Sequence, residues 1–227
     1  MKRFWQDVAV TPDGGIALDG RPVRTPGRLP LVAPFPALAE AIAGEWRAVG
    51  ETIDPRAMPL TGLANAAIER IAPDAPAFAG GIAVYGGSDL LCYRAEVGPL
   101  AERQAAAWDP VLDWARGRYG VDFIVTDGVM PVEQPPLTLA RLREAVVALS
   151  PWTLAPLSPI VSLTGSLLLG LALVQGAIDA DAAWAATHVD EDWQIEQWGE
   201  DALAAETRAV RAAEYRAAIR FLDLIRA

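Results

Sequence analysis

The sequence predicts an α+β protein: a small β-rich N-terminal domain, antiparallel strands plus a helix, followed by a larger all-α helical bundle domain. Three observations predict it. Short apolar runs broken by Asp-Gly, Pro-Asp-Gly-Gly and Pro-Gly occupy the first third of the 227 residues, a spacing suited to hairpins. From about residue 60 the apolar positions recur at helical spacing instead. Half of the residues are hydrophobic and a fifth charged, enough for a packed core and too apolar for a disordered chain. The boundary falls so as to give domains 1–60 and 61–227.

In chain order, QDVAVT, GIAL, RPVRT and LPLVA read as extended runs. Asp19-Gly20 reads as a hairpin turn, and Pro12-Asp13-Gly14-Gly15 as another. PALAEAIAGEWRAVG reads as a helix opened by Pro36 and closed at Gly50. Its Leu38, Ile42 and Trp46 face one side and would pack it on the strands. TGLANAAIERIA reads as one helix with Thr61 as its N-cap. LAERQAAAWDPVLDWARGRYG is the next, with Pro110 either kinking it or starting its second half. VDFIVTDGVMPV is an extended interruption, and PPLTLARLREAVVAL an amphipathic helix.

From Ile160 to Ile178 no residue is charged, close to the length that spans a bilayer. Basic anchors are missing at its ends, where a membrane helix would carry them. It is expected to be the buried central helix of the bundle, with Gly165, Gly170 and Gly176 as close-packing points. A membrane span over 160–178 is the competing reading. DADAAWAATHVDEDWQIEQWG and a helix to Ile225 complete the chain.

Charge and composition narrow the function. The formal charge is −10, residues 151–200 hold seven acids and no base, and eighteen of nineteen basic residues are Arg. Such a chain repels phosphate backbones, so nucleic acid is not an expected partner. Cys92, the one cysteine, permits neither an internal disulfide nor a cysteine metal cluster, and its apolar surroundings in DLLCY predict a buried, inert thiol. The N-terminus reads as neither a secretory signal nor an amphipathic transit peptide. The expected setting is therefore a reducing cytoplasm, or a mitochondrial matrix for a processed chain.

GIAVYGGS, Gly81 to Ser88, has the glycine spacing of a phosphate-binding loop. Gly87 stands where that loop needs its lysine, so a turn ending in Ser88-Asp89 as a cap is expected instead. No cofactor or metal is expected. The only histidine, His188, and Glu191 at i+3 are half a metal site. A small hydrolase using His188 or a carboxylate pair is the alternative function that the residues leave open.

HVDEDWQIEQWGED, from His188 to Asp201, concentrates six carboxylates. On one continuous helix, Trp184, His188, Glu191, Ile195 and Trp198 form a mostly apolar row, expected to face the core. Thr187, Asp190, Gln194, Gln197 and Asp201 form a polar row, expected to face outward. Trp46, Trp108, Asp109, Pro110 and Trp114 are expected to serve core packing.

The motifs together carry a resemblance. KRFWQDVAV, DGRPVRTP, EWRAVGETIDPRAMPLTGLAN, SDLLCYRAE, AAWDPVLDWA, LSPIVSLTGSLLLGLAL and DEDWQIEQWGE run nearly end to end. In this order they resemble the assembly-chaperone family of the F-type ATP synthase, whose members bind the free α subunit before it meets β. The resemblance implies a two-domain fold, no enzymatic activity, and a protein client, the α subunit, shielded until assembly. Family members carry a functionally important acid just ahead of the WQIEQWG-like segment. An ungapped match through Gln194, Trp198 and Gly199 puts it at Asp190, with Glu191 the fallback. Asp190, Glu191, Gln194, Gln197 and Asp201 are thus the expected partner-binding residues, on a chain expected to be monomeric.

Overall fold

A computed structural model describes residues 2–128 and 130–227. Two compact units emerge. The first comprises the chain up to Ala75 with Ser150–Pro156 and Glu214–Ala227; the second comprises Pro76–Leu149 and Leu157–Ala213.

In the first unit, strands β1 (Val8–Val10), β2 (Ile16–Leu18) and β3 (Arg21–Pro22) form an antiparallel sheet in that order. Register pairs Val8 with Leu18 and Leu18 with Arg21. Asp19 and Gly20 link the last two strands with φ of 48° and 75°. Both residues are left-handed, the turn geometry that matches strand twist. The Asp19 carboxylate accepts from the amides of Asp7 at 2.8 Å and Gln6 at 3.1 Å. Those bonds hold its pKa below the usual carboxylate value.

Helix α1 (Pro36–Ala48) buries Leu38 and Ile42 in the core that Trp5, Val8, Ile16 and Leu31 share. The two chain segments that join this unit from further on contribute Trp152 and Phe221, stacked at 6.2 Å. Phe35 meets Trp152 edge-on at 5.9 Å.

Helix α2 (Pro59–Ala66) corrects the expected cap. Thr61 lies inside the helix, and Glu45 of α1 serves its first turn. The Glu45 carboxylate accepts from Leu60 N and Thr61 N, each at 2.8 Å, and from Thr61 Oγ1 at 2.7 Å. A carboxylate from a neighbouring helix thus does the work of a side-chain cap. The expected single helix then ends in a π-type turn over Ala67–Ile71 and a 3₁₀ turn over Ala72–Asp74, where Pro73 has no amide to continue an α-ladder.

The second unit is built on helices: α3 (Ala75–Ala83), α4 (Pro99–Tyr119), α5 (Pro136–Val147), α6 (Pro151–Thr164), α7 (Leu167–Gln175), α8 (Ala180–Thr187), α9 (Val189–Trp198) and α10 (Ala202–Leu224). The end residues of α3, α6 and α10 that fall outside it belong to the first unit. The extended interruption supplies β5 (Thr126–Asp127), parallel to β4 (Tyr93–Arg94). Val129, in the same stretch, lies outside the described residues. Pro110 sits within a continuous α4.

The uncharged stretch 160–178 is two helices, not the single one expected. Gly165, at φ 64°, ends α6, and Ser166 caps α7 by accepting from Leu169 N at 3.0 Å. Gly170 is the true close-packing point: a Cβ there would lie 2.7 Å from Val161 and 2.8 Å from Leu157. Gly165 and Gly176 are terminators, both left-handed. Among the described residues no helix is long and apolar enough to cross a membrane.

The glycine-rich stretch also resolves into a cap. Fully buried Asp89 accepts from Leu91 N at 3.1 Å, Ser166 Oγ at 2.7 Å and Leu168 N at 3.0 Å. One carboxylate therefore starts both the 3₁₀ turn Leu90–Cys92 and helix α7.

Candidate functional site

His188 divides the acidic segment. It closes α8 and opens α9, with φ −109° and ψ 15°, so the helix expected to be continuous breaks at the second member of the apolar row and just after the first member of the polar row. Its ring is buried against Trp184, centroids 4.1 Å apart. Nδ1 lies 2.8 Å from the Trp184 carbonyl, which fixes Nδ1 as the donor. Nε2 is 3.6 Å from Glu191, beyond hydrogen-bond range. Burial pushes the imidazole pKa below its ordinary value, so the ring is neutral at pH 7. Cys92 is likewise buried, its thiol pushed up to about 12, which denies it the thiolate that nucleophilic chemistry requires. Among the described residues no group of three His, Cys, Asp or Glu side chains is placed to hold a metal ion.

The first turn of α9 carries Asp190, Glu191 and Asp192, where the helix dipole favours negative charge. Asp190 turns inward, against expectation. Its Oδ1 accepts from Gln104 Nε2 at 2.6 Å, and Gln104 in turn accepts from Ala95 N at 2.7 Å. Gln104, on α4, is only 2% exposed, so Asp190 is fixed by a buried, uncharged partner. Asp192 pairs with Arg208 of α10 at 2.5 Å. Glu196 pairs with Arg103 of α4 at 2.7 Å, and that guanidinium lies 4.7 Å above the Trp193 ring. Glu191 is half-buried beside His188.

The other expected residues separate. Gln194 and Gln197 are exposed on α9. Asp201 is not on that helix at all: Gly199 ends α9 at φ 88°, and Asp201 caps α10 by accepting from Ala204 N at 2.8 Å. The expected polar row of five is therefore a threonine at the end of α8 that donates to the Ala183 carbonyl, an inward acid, two exposed amides and a capping acid.

The apolar row fails at its far end. Trp198 is 79% exposed, and on α10 Leu203 and Val210 are 72% and 65% exposed. Leu203 and Val210 are seven residues apart and share a face. Helical spacing predicts core for Trp198, and its exposure overturns that expectation. Of the other aromatics, Trp108 is fully buried and donates from Nε1 to the Ala186 carbonyl at 2.7 Å. Trp46 packs against the first unit's core and Trp114 edge-on against Tyr119. Asp109 is exposed and paired with Arg94 at 2.7 Å.

Charge is divided as sharply. The first unit holds eleven acids and eleven bases; the second holds eighteen acids against eight arginines. The whole net charge of −10 therefore falls on the unit that presents Trp198.

The profile of a family described as ATP12 chaperone protein matches residues 2–116. The chain belongs to the ATP12 chaperone family. It is 27% identical over 214 residues to the Schizosaccharomyces pombe protein named Protein atp12, mitochondrial, covering 87% of this chain and 74% of that one. The crystal structure of Atp12 from Paracoccus denitrificans is 46% identical with a TM-score of 0.91, covering 99% of this chain and 98% of that one. An aspartate-to-lysine mutant of Paracoccus denitrificans Atp12p gives 47% identity, a TM-score of 0.92, and coverage of 99% and 97%. These are names of chaperones, not of enzymes. The profile match stops before the acidic helix, whereas the likeness to the ATP12 structures spans nearly the whole chain.

Proposed function

We propose that this chain is a non-enzymatic assembly chaperone of the F-type ATP synthase that binds the free α subunit. It covers the surface the α subunit later buries against β. The observation that carries the reading is the exposure of Trp198, Gln194 and Gln197 on α9 and of Leu203 and Val210 on α10, all on the unit with all the net negative charge. Exposed large apolar side chains, an aromatic among them, are what a docking surface presents. Asp190 and Glu191 complete the negative field, which would steer a client face bearing arginine or lysine. Membership of the ATP12 chaperone family supports a protein client.

An isolated subunit with an unfinished docking surface aggregates. A chaperone that covers this surface needs no nucleotide hydrolysis to let go, provided the contact with β is the more stable one. In this reading the second unit, the greater part of the expected helical domain 61–227, carries the client, and the protein acts as a monomer. Its setting is a bacterial cytoplasm, or a mitochondrial matrix for a processed chain.

The test is capture of purified α subunit by the tagged chain and release on adding β subunit. Asp190→Lys, with native circular dichroism, should lose capture. A chain that fails to bind α subunit, or an Asp190→Lys variant that binds it fully, contradicts the proposal.

A further inference from the structure

The first unit holds a cleft of about 310 Å³. Leu18 and Val23, both buried, form its floor with Pro22 and Trp46. Phe4, 64% exposed and set edge-on against Trp5 at 5.2 Å, supplies an aromatic wall. The charged residues that line it are Arg21 and Arg24, both exposed, and no carboxylate lines it among the described residues. Neither guanidinium has an ion-pair partner within 4 Å among the described residues; Arg24 Nη1 donates to the Arg28 carbonyl at 2.8 Å, which leaves its other N–H groups for a ligand. Asp19, the acid beside Arg21, is already engaged by the amides of Gln6 and Asp7. The Trp46 indole N–H has no acceptor among the described residues.

We propose that this cleft is a second protein-docking site, which takes an extended segment carrying a large apolar side chain next to a carboxylate. The volume is at the small end of ligand pockets, enough for one bulky side chain and its neighbours. An apolar floor with an aromatic wall rewards burial of that side chain. Two guanidiniums at the rim provide forked donors for a carboxylate. A lysine-bearing segment would meet like charge and be rejected. The site's polarity is opposite to that of the acidic helix, so the two surfaces select different stretches of chain. The proposal does not depend on the identity of the client.

The test is a titration of the full chain with a short capped peptide, Leu-Phe flanked on each side by two glutamates, followed by two-dimensional NMR. Saturable shifts at the Val23 and Arg24 amides and the Trp46 indole N–H are expected. The same peptide with lysines for glutamates, or with Gly-Ser for Leu-Phe, should leave those signals in place. Exchanging both rim charges, Arg21→Glu with Arg24→Glu, should weaken binding about tenfold. The neutral pair Arg21→Gln with Arg24→Gln should weaken it less and controls for folding. Equal binding of the lysine peptide, unchanged affinity in the charge-reversed variant, or no shift at millimolar peptide overturns the proposal. None of these outcomes involves the α subunit, so failure here is separate from failure of the assembly-chaperone reading.

Discussion

Gln104 donates to Asp190 at 2.6 Å from a fully packed position on α4 while its carbonyl oxygen accepts from Ala95 N at 2.7 Å. The acid in the first turn of the acidic helix is therefore part of a half-buried relay through buried Gln104, and its position and its charge can be separated by mutation. Asp190→Asn keeps an oxygen for Gln104 and removes the charge. Gln104→Leu keeps the charge and leaves the Ala95 amide without its acceptor, a loss of about 1–3 kcal/mol. Urea denaturation should show Gln104→Leu clearly destabilised and Asp190→Asn close to wild type. Equal stability of Gln104→Leu and wild type would contradict the relay.

Asp89 gives a pH signature. Burial raises its pKa to about 6 despite its hydrogen bonds, against about 3.9 in an unfolded chain. The folded state therefore binds the proton more tightly. The associated stability is fully present below about pH 4 and is lost as pH rises through about 6. Chemical denaturation at pH values between 4 and 7 should show Asp89→Asn lacking this part of the wild-type slope, whatever its absolute stability. Identical slopes would show that Asp89 does not titrate in that window.

Cys92 should be unreactive in the native protein. It is 1% exposed, and its thiol is pushed up to about 12. Iodoacetamide at pH 7.5 should leave it unmodified until guanidinium chloride unfolds the chain, as mass spectrometry would read. Rapid labelling under native conditions would contradict its burial.

The sequence makes some of this legible and hides the rest for physical reasons. Asp19-Gly20, Pro36 and the Ser88-Asp89 turn announce themselves because their conformations are local. Thr61 misleads because the α2 start is served by Glu45, sixteen residues earlier, and no local pattern encodes a cap supplied by another helix. The 160–178 run conceals its break because Gly165 reads equally as a packing glycine or a terminator. Asp190 and Trp198 exchange their expected sides. The helix is interrupted at His188 and ends at Gly199, so a row counted at constant helical spacing drifts off its face. The return of Trp152 and Phe221 to the first unit's core is a long-range event with no local signature. What did transmit was composition: the concentration of acids around residue 190 marks the unit that holds the net charge.

The exposed apolar residues of α9 and α10 supply the decisive experiment. Trp198, Leu203 and Val210 are exposed, so their removal should spare folding while removing the anchor for a client. Light scattering of purified α subunit, warmed with increasing amounts of chaperone, measures that anchor directly. Wild type should hold scattering flat. Trp198→Ala should lose at least about 2 kcal/mol of binding and let the α subunit aggregate, with unchanged circular dichroism and melting. Full suppression by Trp198→Ala combined with Asp190→Lys would contradict the account, since neither the apolar anchor at the end of α9 nor the acid at its start would then hold the client.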